Sequence, residues 1–171
     1  VSNALIYTKK KGKKFEVYVT ETRPLMQGRK TARELSKAGI KVTMFVDSAL
    51  EDALSGEGKL KKADKVFLGA DALLNGGVIN KIGSGLAARI AKDENIPFYI
   101  IADSWKYSSK KVPIENRKLN EVWDRVPRNV KIQNPAFEFV PKKYISGIVS
   151  EFGTMSYGAF VKKVKIPKNN H

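Results

Sequence analysis

A carboxylate, an amide, an ammonium and a pair of glycines follow one another closely in this chain. They are Asp71 in Gly69-Ala70-Asp71, then Asn80-Lys81, then Gly83-Ser84-Gly85. An aspartate kept accessible by small neighbours can move a proton to or from a bound carbon or hydroxyl if its pKa is raised. Amide and ammonium side chains, with the free N–H groups of a helix start, suit a phosphate ester. Lys65-Val66-Phe67-Leu68 reads as a buried strand before this stretch, and Leu86 to Lys92 as a helix after it. The span 69–85 is therefore expected to be a glycine-rich loop at a strand's carboxyl end, where open α/β sheets bind ligands.

Two further strand ends carry polar groups. Glu21-Thr22-Arg23-Pro24 closes one strand and Gln27-Gly28 opens the next helix. Arg23 offers a planar fork for phosphate or carboxylate, and the competing reading is a tie to Glu21 or to backbone that stiffens the loop. Asp103-Ser104-Trp105-Lys106 ends another strand and adds a third cation. Asp71 has its own structural alternative, capping the turn or binding loop amides, and any one lysine reads equally as ordinary surface. Three strand ends delivering polar groups to one rim favour an anion site, with Asp71, Lys81 and Lys106 facing a common cavity. Gly83 to Ala88 formally fits G-x-G-x-x-A, but that fingerprint must directly follow its strand. About a dozen residues intervene, so a dinucleotide site is rejected.

The elements that position these groups alternate. Ser2–Lys11 has helical spacing, with Gly12 as its stop; Phe15–Thr20 is β-branched and aromatic. Gly28–Ala38 reads as a helix closed by Gly39, Ile40–Val46 as a strand, and Asp47-Ser48 as the cap of a helix from Ala49 to Leu54. Ile96–Ala102 is a fourth strand, and Ile145–Val149 a fifth before a Phe152-Gly153 turn and a basic tail. Such alternation predicts an α/β fold with a mostly parallel sheet covered on both faces. Residues 107–143 read as an irregular excursion that covers an edge or meets a partner. The chain opens inside a helix with no strand before it, which leads us to expect a truncated piece.

With 171 residues, one domain with a substantial core is expected. No apolar run spans a bilayer, and no charged n-region with an h-region signals export. Cysteine is absent and the single histidine, His171, is terminal, so disulfide, thiolate and histidine-based sites are excluded and no metal or other cofactor is expected. A cytoplasmic protein is the default. The net charge of +15 favours encounters with anions, yet the lysines are scattered and no basic stripe interleaved with aromatics marks a nucleic-acid face.

Taken in order, Val19 to Pro24 with Gln27-Gly28, Gly39-Ile40 through Ala49, Gly69-Ala70-Asp71, Asn80 to Gly83, Pro97 to Tyr99 with Trp105 to Tyr107, Asn134 to Phe137 and Pro141 to Glu151 resemble the translation initiation factor 2B alpha/beta/delta family. Its relatives include the ribose-1,5-bisphosphate and methylthioribose-1-phosphate isomerases; Pro113 to Arg117 with Glu121 to Trp123 looks like the isomerase and archaeal-type members. The resemblance implies a single Rossmann-like, three-layer C-terminal domain over 1–171. Such a domain normally follows a helical one and forms homodimers or larger assemblies. It places Asp71 on the isomerases' acid–base position, and Asn80, Lys81 and Lys106 on positions that hold the sugar phosphate. Trp105 stands where those enzymes carry a tyrosine. Their cysteine partner for the aspartate sits upstream of the residues present, so this chain alone is not expected to turn over substrate. Two readings follow: a factor-like module in translation initiation that binds a sugar phosphate or nucleotide, with initiation factor 2 subunits as candidate partners, placed first, or the C-terminal half of a ribose-1,5-bisphosphate isomerase. An aspartate at this position leans towards the enzymes, since regulatory subunits of the eukaryotic factor often lack it.

Overall fold

Leu35 shows how local pattern becomes architecture in the first part of the chain. In helix α2 (Gln27–Lys37), Leu35 is fully buried while Arg29, Lys30, Arg33 and Lys37 face water, as expected of an amphipathic helix laid on a sheet. Strands β1 (Glu16–Thr20) and β2 (Lys41–Phe45) flank α2 in sequence and pair in parallel, from Glu16 opposite Lys41 to Thr20 opposite Phe45. A parallel pair needs a crossover, which α2 supplies. Gly39, at φ 72°, turns the chain out of the helix, and the Ile40 N–H donates back to the Leu35 carbonyl at 3.1 Å. Helix α1 (Ser2–Lys10) packs against α2.

The computed structural model describes residues 1–110, 112–113 and 117–165. His171 and the 114–116 part of the family-like segment lie outside them. Contacts divide the chain into two compact units, Val1–Ala63 with Lys118–Asn134, and Asp64–Arg117 with Pro135–His171. The first unit is completed by a 3-10 turn at Asp47–Ala49, helix α3 (Leu50–Ser55) and a second 3-10 turn at Leu119–Glu121. Asp47 does not cap α3 as expected. Its carboxylate accepts the N–H groups of Thr22 at 2.8 Å and Arg23 at 2.6 Å instead. A charged acceptor serves two loop amides better than one helix amide.

The second unit contains β3 (Val66–Leu68), β4 (Ala72–Leu73), β5 (Gly77–Lys81), α4 (Ser84–Asp93), β6 (Phe98–Ile101), β7 (Phe137–Pro141), β8 (Gly147–Ser150), β9 (Gly153–Met155) and α5 (Tyr157–Lys165). One sheet runs β3-β6-β8-β9, its first three strands parallel and β9 antiparallel. A second, antiparallel sheet runs β4-β5-β7. Phe98, Ile100, Ile148 and Phe160 form the fully buried centre, with Leu73, Val78 and Val140 from the second sheet. Among the described residues no helix is long and apolar enough to cross a membrane.

Three expectations change here. The span 69–85 is largely a β-hairpin, with Asn75-Gly76 as its tip and Leu74 N–H donating to Gly77 O at 2.9 Å. Two apolar arms around an Asn-Gly pair are a strong hairpin signal that outweighs the glycine content. The irregular stretch 107–143 splits: 118–134 joins the first unit, and β7 pairs along the whole of β5. After the fifth strand come β9 and α5, where only a turn and a tail were expected.

Candidate functional site

β3, β6 and β8 are parallel neighbours, so the loops that leave them emerge on one rim. Asp71 follows β3, Ser104 to Lys106 follow β6, and Glu151 follows β8. The Lys106 Nζ donates to the Ala70 carbonyl at 2.5 Å, placing an ammonium beside the backbone of Asp71. The Glu151 carboxylate accepts the Ser104 N–H at 3.1 Å and holds the start of the 3-10 turn that carries Lys106. The Asp71 N–H donates to Ile79 O at 2.9 Å, which fixes the aspartate two residues from Lys81 across the hairpin. Asp71 and Lys106 are exposed and Lys81 is half-buried. No hydrogen bond or ion pair from the described residues engages the Asp71 carboxylate or the Lys81 ammonium. Asp71 therefore does not spend its side chain on loop amides.

Asn80 and Gly83 sit differently from expectation. Asn80 is buried, its Nδ2 donating to Ser84 Oγ at 2.8 Å, and that hydroxyl donates to the Lys81 carbonyl at 2.6 Å. The amide thus points into the protein as a latch on the first turn of α4. The N–H groups of Gly83 and Gly85 donate to Glu138 Oε1, at 2.6 and 3.0 Å. A carboxylate from β7 already fills the anion position at this helix start. Gly83, at φ 97°, supplies the left-handed turn into α4. A Cβ on Gly85 would lie 2.5 Å from Glu138 Oε2, so glycine there admits the carboxylate.

The other predicted ligands lie in the first unit. Arg23 is exposed and donates through Nη2 to the Val122 carbonyl at 3.4 Å, so it makes the backbone tie; Glu21 pairs with Arg29 at 3.3 Å instead. Gln27 is exposed at the first residue of α2. Gly28 is buried, its N–H donating to Glu21 O at 3.1 Å, and a Cβ there would run into the Thr20 carbonyl. Gly28 is a close-packing residue.

Sequence reading missed Glu138 and Tyr157. The Tyr157 phenol donates to the Leu74 and Gly77 carbonyls, the two ends of the hairpin tip, and burial pushes its pKa up to about 12. The Tyr107 phenol donates to Asn75 Oδ1 at 2.8 Å. Two phenols therefore brace the hairpin whose arms carry Asp71 and Lys81. A shallow groove lined by Lys92, Asn95, Pro97, Lys143 and Tyr144 lies at the opposite ends of β6 and β8 and contains none of the predicted residues.

A family model described as the Initiation factor 2 subunit family matches residues 1–157. A ribose 1,5-bisphosphate isomerase of Archaeoglobus fulgidus is 40% identical over 152 residues, covering 84% of this chain and 47% of that protein. A methylthioribose-1-phosphate isomerase of Koribacter versatilis is 41% identical over 154 residues, covering 83% and 42%. The crystal structure of the translation initiation factor eIF-2B, subunit delta, from A. fulgidus superposes with a TM-score of 0.84 at 34% identity, covering 95% of this chain and 50% of that one. The chain spans about half the length of the curated relatives it matches. Their names favour the isomerase reading over the initiation-factor reading placed first.

Proposed function

This chain belongs to the initiation factor 2 subunit family, and from that membership we propose that it is the C-terminal part of a sugar-phosphate aldose–ketose isomerase acting on ribose 1,5-bisphosphate. One observation carries the reading: an exposed carboxylate, unengaged by the described residues, at the carboxyl end of a parallel strand, with an ammonium held against the preceding carbonyl. Aldose–ketose exchange needs a group that relays a proton and cations that neutralise phosphate esters. Asp71 takes the first role. Lys81 and Lys106 take the second, Lys106 with two N–H donors still free of the Ala70 carbonyl. Asn80 and Gly83 shape the turn beside Lys81, and a Rossmann-like three-layer arrangement and a homodimer or larger assembly belong to the same reading.

The full-length protein is expected to convert ribose 1,5-bisphosphate to its ketose isomer. Asp71→Asn should lower kcat by about 10²–10⁴-fold, the usual worth of a positioned acid–base group, with unchanged stability, since the side chain is exposed. Conversion that survives in Asp71→Asn refutes the assignment. The second reading, a regulatory module in translation initiation, draws on the likeness to the eIF-2B delta subunit of A. fulgidus. No conversion by the wild type, with initiation factor 2 subunits co-purifying, would establish it instead.

A further inference from the structure

The first turn of α4 is held from two sides, and Lys81 lies between the clamps. On one side the Asn80 amide and Ser84 hydroxyl fix the Lys81 carbonyl. On the other, Glu138 Oε1 takes the N–H groups of Gly83 and Gly85. Glu138 stands opposite Asn80 in the β5–β7 pairing, and Phe137 opposite Lys81. The carboxylate therefore locks the helix start to the strand partner of Lys81 itself. Charge-assisted hydrogen bonds to two amides at a helix start are among the stronger anchors a loop can have. The glycine at 85 keeps this approach open, because a Cβ there would lie 3.1 Å from the Glu138 carboxyl carbon.

We propose that Glu138 is a positioning residue for the sugar-phosphate site, setting Lys81 through the helix start while taking no part in proton transfer. The proposal rests on the isomerase reading. Lys81 holds a phosphate that is present in substrate and transition state alike, so its displacement weakens both equally and appears in KM, not in kcat. A role limited to general stability lacks that split.

The test compares full-length wild type, Glu138→Ala and Glu138→Gln with ribose 1,5-bisphosphate as substrate. Glu138→Ala should raise KM about tenfold with kcat within about twofold, the pattern of lost uniform binding. Glu138→Gln keeps a side-chain oxygen for both amides without the charge, and should leave KM only about threefold above wild type. If Glu138→Ala does not fold, Glu138→Gln carries the test: a rise in KM of about threefold at constant kcat supports the proposal. A wild-type KM in the folded variants, or a fall in kcat with KM unchanged, overturns it while leaving the isomerase reading intact. Absence of turnover by the wild type overturns both.

Discussion

Replacing Tyr157 by phenylalanine removes one oxygen from a fully enclosed position and asks what holds the hairpin. Tyr157 is 5% exposed, and its hydroxyl donates to the carbonyls of Leu74 and Gly77. Gly77 O keeps the Leu74 N–H at 2.9 Å after the change, so Leu74 O bears most of the loss. Leu74 O is part-buried, so leaving it unmet costs about 1 kcal/mol, and this is the expected destabilisation near pH 8. The phenol's pKa, raised from 10.0 to about 12 by burial, supplies an internal check. A group whose pKa is higher folded than unfolded stabilises fully below the unfolded value and loses that contribution as pH rises through the folded one. Wild type should therefore lose on the order of 2 kcal/mol between pH 10 and 12, whereas Tyr157→Phe lacks this loss. Urea unfolding followed by circular dichroism at steps from pH 8 to 12 measures both proteins, and their difference cancels the lysines. The gap should close or invert by pH 12. A gap that stays constant over that range, or one that is absent at pH 8, refutes the account of a buried phenol holding the hairpin.

Other expectations follow from single contacts. Gly28→Ala drives a methyl into the Thr20 carbonyl, and unfolding should show a loss of about 2–4 kcal/mol, the range of severe overpacking. Phe160→Ala empties a fully buried site on α5 and should cost about 3–5 kcal/mol by the same measurement. Gly85→Ala and Glu138→Ala should be non-additive by about 1 kcal/mol in a double-mutant cycle, because the methyl offends only while the carboxylate is there. Removing the exposed Lys41–Glu16 pair at 2.9 Å should change stability by less than about 0.5 kcal/mol.

Which parts of this molecule could be read from the chain depends on how far apart the cooperating residues lie. Helices α1 and α2 and strands β1, β2, β3 and β6 each announce themselves within a dozen residues, and their bounds agree with expectation to within one or two positions. The rim carrying Asp71 and Lys106 was legible too, because parallel neighbours must end on the same side. The hairpin at Asn75-Gly76 was legible in principle, but its glycines invited a phosphate-loop reading.

Glu138 belongs to another class. Capping signals are local, an acceptor at the first residue or three positions on, whereas this acceptor arrives from 55 residues beyond Gly83. Nothing in Gly83-Ser84-Gly85 shows that an internal carboxylate already satisfies its amides. A helix start therefore reads from sequence as an open anion site whether or not the fold has filled it. Here the fold has filled it, so in the isomerase reading proposed above the phosphate falls to the lysine side chains of the rim. Binding carried by ammonium groups is a matter of charge, and it should weaken steeply with salt. The apparent affinity of the full-length protein for ribose 1,5-bisphosphate should thus fall several-fold between about 0.05 and 0.5 M salt, measured by KM. A salt-independent KM would mean that the backbone amides of the α4 start hold the phosphate after all, and that Glu138 gives way when substrate arrives.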